Sequence, residues 1–172
     1  MPPYVLEILL ALAGIVASPY INEYVVEPFR FARSKGKRVA GEYFSVWYTA
    51  TQNPPHTWEQ GVIKQRGSRI RYKSINNDAK FDYEFIGTIE GDVISGHWKS
   101  TLPHDRDVGG GGTLYCSQRG HIAGFWIGDC KVHHVSWGYW AISPDRLALE
   151  RFNANMRGGM TFKSGDIDHL FD

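Results

Sequence analysis

The chain has 172 residues, 42% of them hydrophobic and 22% charged, and its 19 Lys+Arg against 18 Asp+Glu leave a formal net charge of +1. That length and balance describe one domain with an attachment and exclude a wholly disordered or coiled-coil chain. Near neutrality removes any whole-protein field for gripping a nucleic-acid polymer, whereas 14% aromatic residues and 19 Gly suit short twisted strands and tight turns better than a helix bundle.

In chain order the first element is apolar. Val5 to Ala17 (VLEILLALAGIVA) carries Glu7 as its one charge, Ser18-Pro19 interrupts, and Tyr20 to Val26 resumes with Asn22 and Glu23 inside it. A helix needs about 20 residues to cross a ~30 Å hydrocarbon core, so a span would run from about Tyr4 to Val26 with its polar groups facing a partner helix. Two other readings compete: a signal peptide, which the start MPPY fits poorly for want of a positive charge, and a short helix packed on the domain. Arg30, Arg33, Lys35, Lys37 and Arg38 follow the segment and no Lys or Arg precedes it, so the positive-inside rule places the rest of the chain in the cytoplasm. The same cluster would also suit a peripheral anchor on anionic headgroups, and either arrangement puts the soluble part at the inner leaflet. Ala13 and Ala17 form a small-xxx-small pair compatible with self-association. The expected division is residues 1–29 as a hydrophobic helix, 30–40 as a basic linker, 41–152 as the main domain and 153–172 as a tail.

From Gly41 to Ser143 about eight strand-like runs follow one another: GEYFSVWYT from Gly41, WEQGVIKQ from Trp58, SRIRYKSI from Ser68, DYEFIGTIE from Asp82, DVISGHWKS from Asp92, GTLYCSQ from Gly112, HIAGFWIGD from His121 and HVSWGYWAI from His134. Arg66-Gly67, Glu90-Gly91 and Arg119-Gly120 read as hairpin turns with Gly where positive φ is needed. Consecutive strands with tight turns make a meander, and about a hundred residues of meander shed their edges most simply as an all-β, eight-stranded antiparallel up-and-down β-barrel. Gly41-Glu42-Tyr43, Gly96-His97-Trp98, Gly124-Phe125-Trp126 and Gly138-Tyr139-Trp140 repeat a Gly-x-aromatic pattern. With a period of two, each sets a ring beside a gap on one face, as a tight barrel interior requires. Thr101 to Gly111 reads as a long connection, a mobile lid running into Gly109 to Gly112, with His104 and Arg106 beside it. DRLALERF, after Ser143-Pro144, would extend the last strand or cover an open end, and the residues beyond Asn153 read as loosely ordered.

Recognised reaction chemistry is sparse. Pairing around Arg119-Gly120 sets Cys116 opposite about Ala123, too far from Cys130 for a disulfide, and two unpaired thiols fit a reducing compartment. His133-His134 would point to opposite faces of a strand, and no HExxH or CxxC spacing occurs, so no metal is expected. Without GxSxG or a Cys/His/acid set the chain does not read as an enzyme.

A hydrophobic N-terminal segment, a short basic linker and a small barrel of Gly-x-aromatic strands together resemble the membrane-anchored β-barrel effectors of bacterial CBASS anti-phage defence. The resemblance spans nearly the whole chain and rests on architecture and spacing, with no sharp motif. It implies a calycin-like minimal barrel that binds a cyclic di- or oligonucleotide made by a partner nucleotidyltransferase, followed by homo-oligomerisation and disruption of the inner membrane. The family typically carries two transmembrane helices, and this sequence has room for one.

Such a ligand needs planes for its bases and cations or N–H groups for its phosphates. Trp47, Tyr72, Trp98, Trp126, Tyr139 and Trp140 are candidate stackers, and Arg69, Arg71, Lys73, Lys99 and Arg106 candidate phosphate partners. Of these, Trp47, Arg71, Tyr72, Lys73, Trp98, Arg106, Trp126 and Trp140 form the expected site; no other cofactor is expected. Arg69, Arg71 and Lys73 share one strand face, which is either a solvated exterior or a phosphate-binding wall. The alternative is a membrane-tethered, lipocalin-like barrel for a lipid or other apolar ligand, with a mainly apolar lining. A third reading has the interior filled solid and the protein acting as an interaction module.

Overall fold

The computed structural model describes residues 37–49, 56–77, 82–103, 108–129, 135–162 and 166–172. The apolar N-terminal segment, most of its basic cluster, His104, Arg106, Cys130, His133 and His134 lie outside them. Eight strands follow in order: β1 Gly41–Tyr48, β2 His56–Arg66, β3 Arg69–Asn77, β4 Tyr83–Glu90, β5 Val93–Ser100, β6 Gly109–Cys116, β7 Ile122–Asp129 and β8 Ser136–Ser143. Each pairs antiparallel with the next, and β8 pairs back on β1, so the sheet is a closed up-and-down barrel. Gly67 and Gly91, both at φ 60°, and Gly120 at φ 85° make the tight turns that the sequence marks. Those turns define one end of the barrel, and the four longer connections gather at the other.

The glycine run departs from expectation. Gly109 to Gly112 are not a lid; they are the first half of β6, paired with β5 and β7. A methyl group at Gly110 would overlap the carbonyl oxygen of Ile127 and the backbone of Gly128, so glycine here permits close backbone approach within a small barrel. Cys116 pairs with Ile122, one residue from the expected register, and is a free thiol.

Toward the tight-turn end the interior is aliphatic: Ile63, Ile70, Ile89, Ile94, Leu114, Ile122 and Ile142 are each buried. Residues 37–40 cross beneath them. Val39, buried in the same cluster, gives its N–H to Gln65 Oε1 at 2.8 Å and takes the Tyr43 hydroxyl on its carbonyl at 2.9 Å. Lys37 completes the strap, its Nζ at 3.0 Å from Asp92 and 3.2 Å from the Cys116 carbonyl. That end is plugged.

A second core lies outside the barrel. The helix α1, Arg146–Arg157, starts on Asp145, whose side chain accepts from the Leu147 N–H at 2.9 Å. It lays Ala148, Leu149 and Phe152 against Val46, Tyr139 and Ala141 on the outer faces of β1 and β8. The segment DRLALERF therefore neither extends β8 nor covers an open end. The residues expected to be loose instead dock: Ile167, Leu170 and Phe171 are buried in this outer cluster, and the Phe171 carbonyl accepts from Arg151 Nε at 2.8 Å. Among the described residues no helix is long and apolar enough to cross a membrane.

Candidate functional site

Toward the loop-bearing end the interior changes from aliphatic to aromatic. Trp47 stacks on Trp140 with centroids 4.3 Å apart, and it meets Tyr83 edge-on at 4.5 Å and Trp126 at 5.8 Å. Tyr72 and Phe85 abut Trp140 at 4.9 and 5.4 Å, and Trp98 packs edge-on against Trp126 at 5.8 Å. The Gly-x-aromatic triplets account for three of these rings. Gly96, Gly124 and Gly138 share the inner face with Trp98, Trp126 and Trp140, where alternation places residues i and i+2 together. Trp98 and Tyr83 are only half-buried, so they stand nearest the mouth.

At the centre of this basket sits a residue the sequence reading did not select. Glu59, 6% exposed, projects inward from β2. Its Oε1 accepts from Trp47 Nε1 at 2.8 Å, Tyr72 Oη at 2.6 Å and Ser45 Oγ at 3.0 Å, and also from the Tyr83 hydroxyl. Ser45 in turn accepts from Trp140 Nε1 at 2.7 Å. Local sequence builds the arrangement: Gly61 has no side chain where the Tyr72 ring lies, so that hydroxyl can reach Glu59. One turn of pairing away, the register between β2 and β3 shifts at Gln60/Gly61 and leaves Ile75 over, a bulge that re-aims the strand beside the site.

The electrostatics follow from burial. Desolvation raises the Glu59 carboxyl above its ordinary pKa of 4.5, and the hydrogen bonds from Tyr72, Tyr83, Trp47 and Ser45 pull the other way. Tyr72 and Tyr83 are pushed well above 10 by burial first and by the Glu59 charge second, which keeps both hydroxyls protonated as donors. Two buried polar atoms in the basket have no partner among the described residues: Glu59 Oε2 and Trp98 Nε1.

Of the expected site residues, Trp47, Tyr72, Trp98, Trp126 and Trp140 come together in this interior. Arg71 and Lys73 do not. Both are exposed on the outer face of β3, Arg71 paired with Glu84 of β4, so a ligand held by Tyr72 inside could not also touch them. Of the wider candidates, Arg69 and Lys99 are likewise exposed, and Tyr139 lies on the outer wall, its ring stacked on Tyr48 at 4.8 Å. Arg106 lies outside the described residues. Among the described residues no three His, Cys, Asp or Glu gather as a metal site.

No protein-family model matches the chain, and no curated protein matches it. Among solved structures, the vaccine antigen transferrin binding protein B from Haemophilus parasuis Hp5, in a Trp-to-Ala mutant, is similar with a TM-score of 0.36 and 14% identity. The match covers 62% of this chain and 27% of that one. The barrel assignment itself rests on the strand pairing of this chain.

Proposed function

We propose that this chain is a receptor and not an enzyme, and that its barrel takes the flat, ring-bearing part of a small ligand through the loop-bearing end. The observation that carries this reading is the pair of unpartnered atoms, Glu59 Oε2 and Trp98 Nε1, buried among aromatic side chains. Buried polar groups in folded proteins almost all have partners, and a ligand supplying one acceptor and one donor would satisfy both.

The finer reading follows the resemblance: the ligand is a cyclic di- or oligonucleotide, the N-terminal segment holds the barrel at the inner membrane, and binding drives homo-oligomerisation and membrane disruption. The rings support the base-stacking half of it. Its phosphates would be met at the mouth, because Arg71, Lys73 and Lys99 face outward. A lipid is matched less well. An acyl chain entering from the loop-bearing end would meet the Trp47–Trp140 stack and the edge of Tyr83 before reaching the aliphatic plug.

Thermal unfolding of the full-length chain with cyclic di- and trinucleotides, alongside fatty acids, tests the finer reading. A ligand at 100 times its Kd adds about 2.7 kcal/mol of stability. A nucleotide shift that Trp98→Ala removes and Arg71→Ala leaves intact is the expected result. A response to acyl chains alone would replace the nucleotide with a lipid.

A further inference from the structure

We propose that the Glu59 end of the aromatic basket binds a protonated nitrogen group, an amine or amidinium carried by a small molecule. The inference rests on the receptor reading above and departs from the nucleotide, whose bases are neutral; it names the charge the ligand carries at that point.

Four donors from β1, β3 and β4 converge on Oε1 of Glu59. A carboxylate offers about four lone-pair positions over its two oxygens, so Oε1 is fully engaged and whatever completes the site must bring its own N–H or O–H to Oε2. Among the described residues no Lys, Arg or His forms an ion pair with Glu59, and its charge is offset there by neutral hydrogen bonds. A cation is therefore preferred over a neutral donor, because it offsets a buried charge as well as filling a hydrogen bond.

The walls are aromatic. Trp47, Tyr72 and Tyr83 meet the carboxyl through the N–H or O–H at their edges, and Trp140 packs against Trp47 and Tyr72. The opposite sign is disfavoured twice. A carboxylate or phosphate reaching this depth would face Glu59, and the cations expected to hold it, Arg71 and Lys73, are on the outer face. Trp98, on β5 across the ring of strands from β2, adds a donor with no acceptor, so the ligand has an oxygen or ring nitrogen at its other end.

Three probes of one shape separate the charges: benzamidine, benzamide and benzoate, titrated into the full chain and followed by tryptophan fluorescence. Benzamidine should bind at least roughly tenfold more tightly than benzamide, the difference a charge-assisted hydrogen bond makes, and benzoate should not bind. Glu59→Gln should abolish that preference and leave the benzamide signal in place. Should the variant fail to fold, the three-probe comparison on the natural chain decides alone. Equal binding of benzamidine and benzamide, or a nucleotide bound equally by the natural chain and Glu59→Gln, would overturn the cation and leave the receptor. Silence from every probe, charged, neutral and nucleotide, would overturn both.

Discussion

Glu59 is held by contacts that favour opposite protonation states. Burial favours the neutral carboxyl and four donors favour the ionised one, with burial the larger effect, so its pKa is higher folded than unfolded. A carboxyl shifted upward binds its proton more tightly in the native state. Its contribution to stability is therefore full below about pH 4.5 and declines as the pH rises through the raised native value. His121 has the opposite slope. Burial on the outer wall, where its ring stacks on Phe171 at 4.3 Å, lowers its pKa below 6.5, so its contribution is full above that pH and is lost on acidification. Denaturant unfolding between pH 4 and 8 should show the stability of the natural chain falling relative to Glu59→Gln as the pH rises. Parallel curves for the two proteins would mean that Glu59 titrates alike folded and unfolded. The thiol of Cys116, buried and pushed up to about 12, should resist alkylation at neutral pH until the barrel opens.

At the scale of the strands, the inward glycines set how tightly the barrel can close. A methyl at Gly138 would overlap the Tyr48 carbonyl oxygen, and one at Gly124 the carbonyl of Thr113. Backbone atoms cannot swing aside as a side-chain tip can. Gly138→Ala should cost about 1–3 kcal/mol, read as a drop of several degrees in Tm; an unchanged Tm would show that β1 and β8 can separate without penalty. The strands themselves were legible because Gly67, Gly91 and Gly120 punctuate them and the Gly-x-aromatic triplets repeat the period of two. Glu59 was not. In β2, Trp58 and Val62 occupy one phase and Glu59, Gly61 and Ile63 the other, so both faces look partly apolar. The cause is α1 and the outer cluster, which half-bury Trp58 on the exterior and set Arg146 6.0 Å over its ring. Alternation assigns an inside only where the outside is wet. The run Gly109 to Gly112 misled for a related reason: four glycines signal a flexible tip locally, and only the proximity of β7 shows why they lie in a strand.

Over the whole molecule two cores share one wall. The residues of β1 and β8 alternate between them, Trp47 and Trp140 inward, Val46, Tyr139 and Ala141 outward under α1. The outer core depends on the last seven residues. Removing 166–172 would strip Ile167, Leu170 and Phe171 from Leu149 and Phe152, and burial of each such side chain is worth about 1.5–3 kcal/mol. That truncation should lower Tm sharply while the purified protein keeps its β-sheet circular dichroism; full retention of Tm would show that the outer core contributes nothing to the barrel.

The seam between β1 and β8 is short, running only from Phe44 to Trp47 against Trp140 to Ser143, whereas β1 pairs with β2 along its whole length. It also joins residues far apart in the chain: Ser45 and Trp140, which share a hydrogen bond across it, are separated by 95 positions. At a synthesis rate of roughly 5–20 residues per second, β1 leaves the ribosome about 5–20 s before its closing partner exists. Through that interval the Trp47 face and the Val46 face are both without their final cover. Until it closes, the nascent sheet has two open edges, β1 and the newest strand, each a row of unpaired N–H and C=O groups on which another chain could pair.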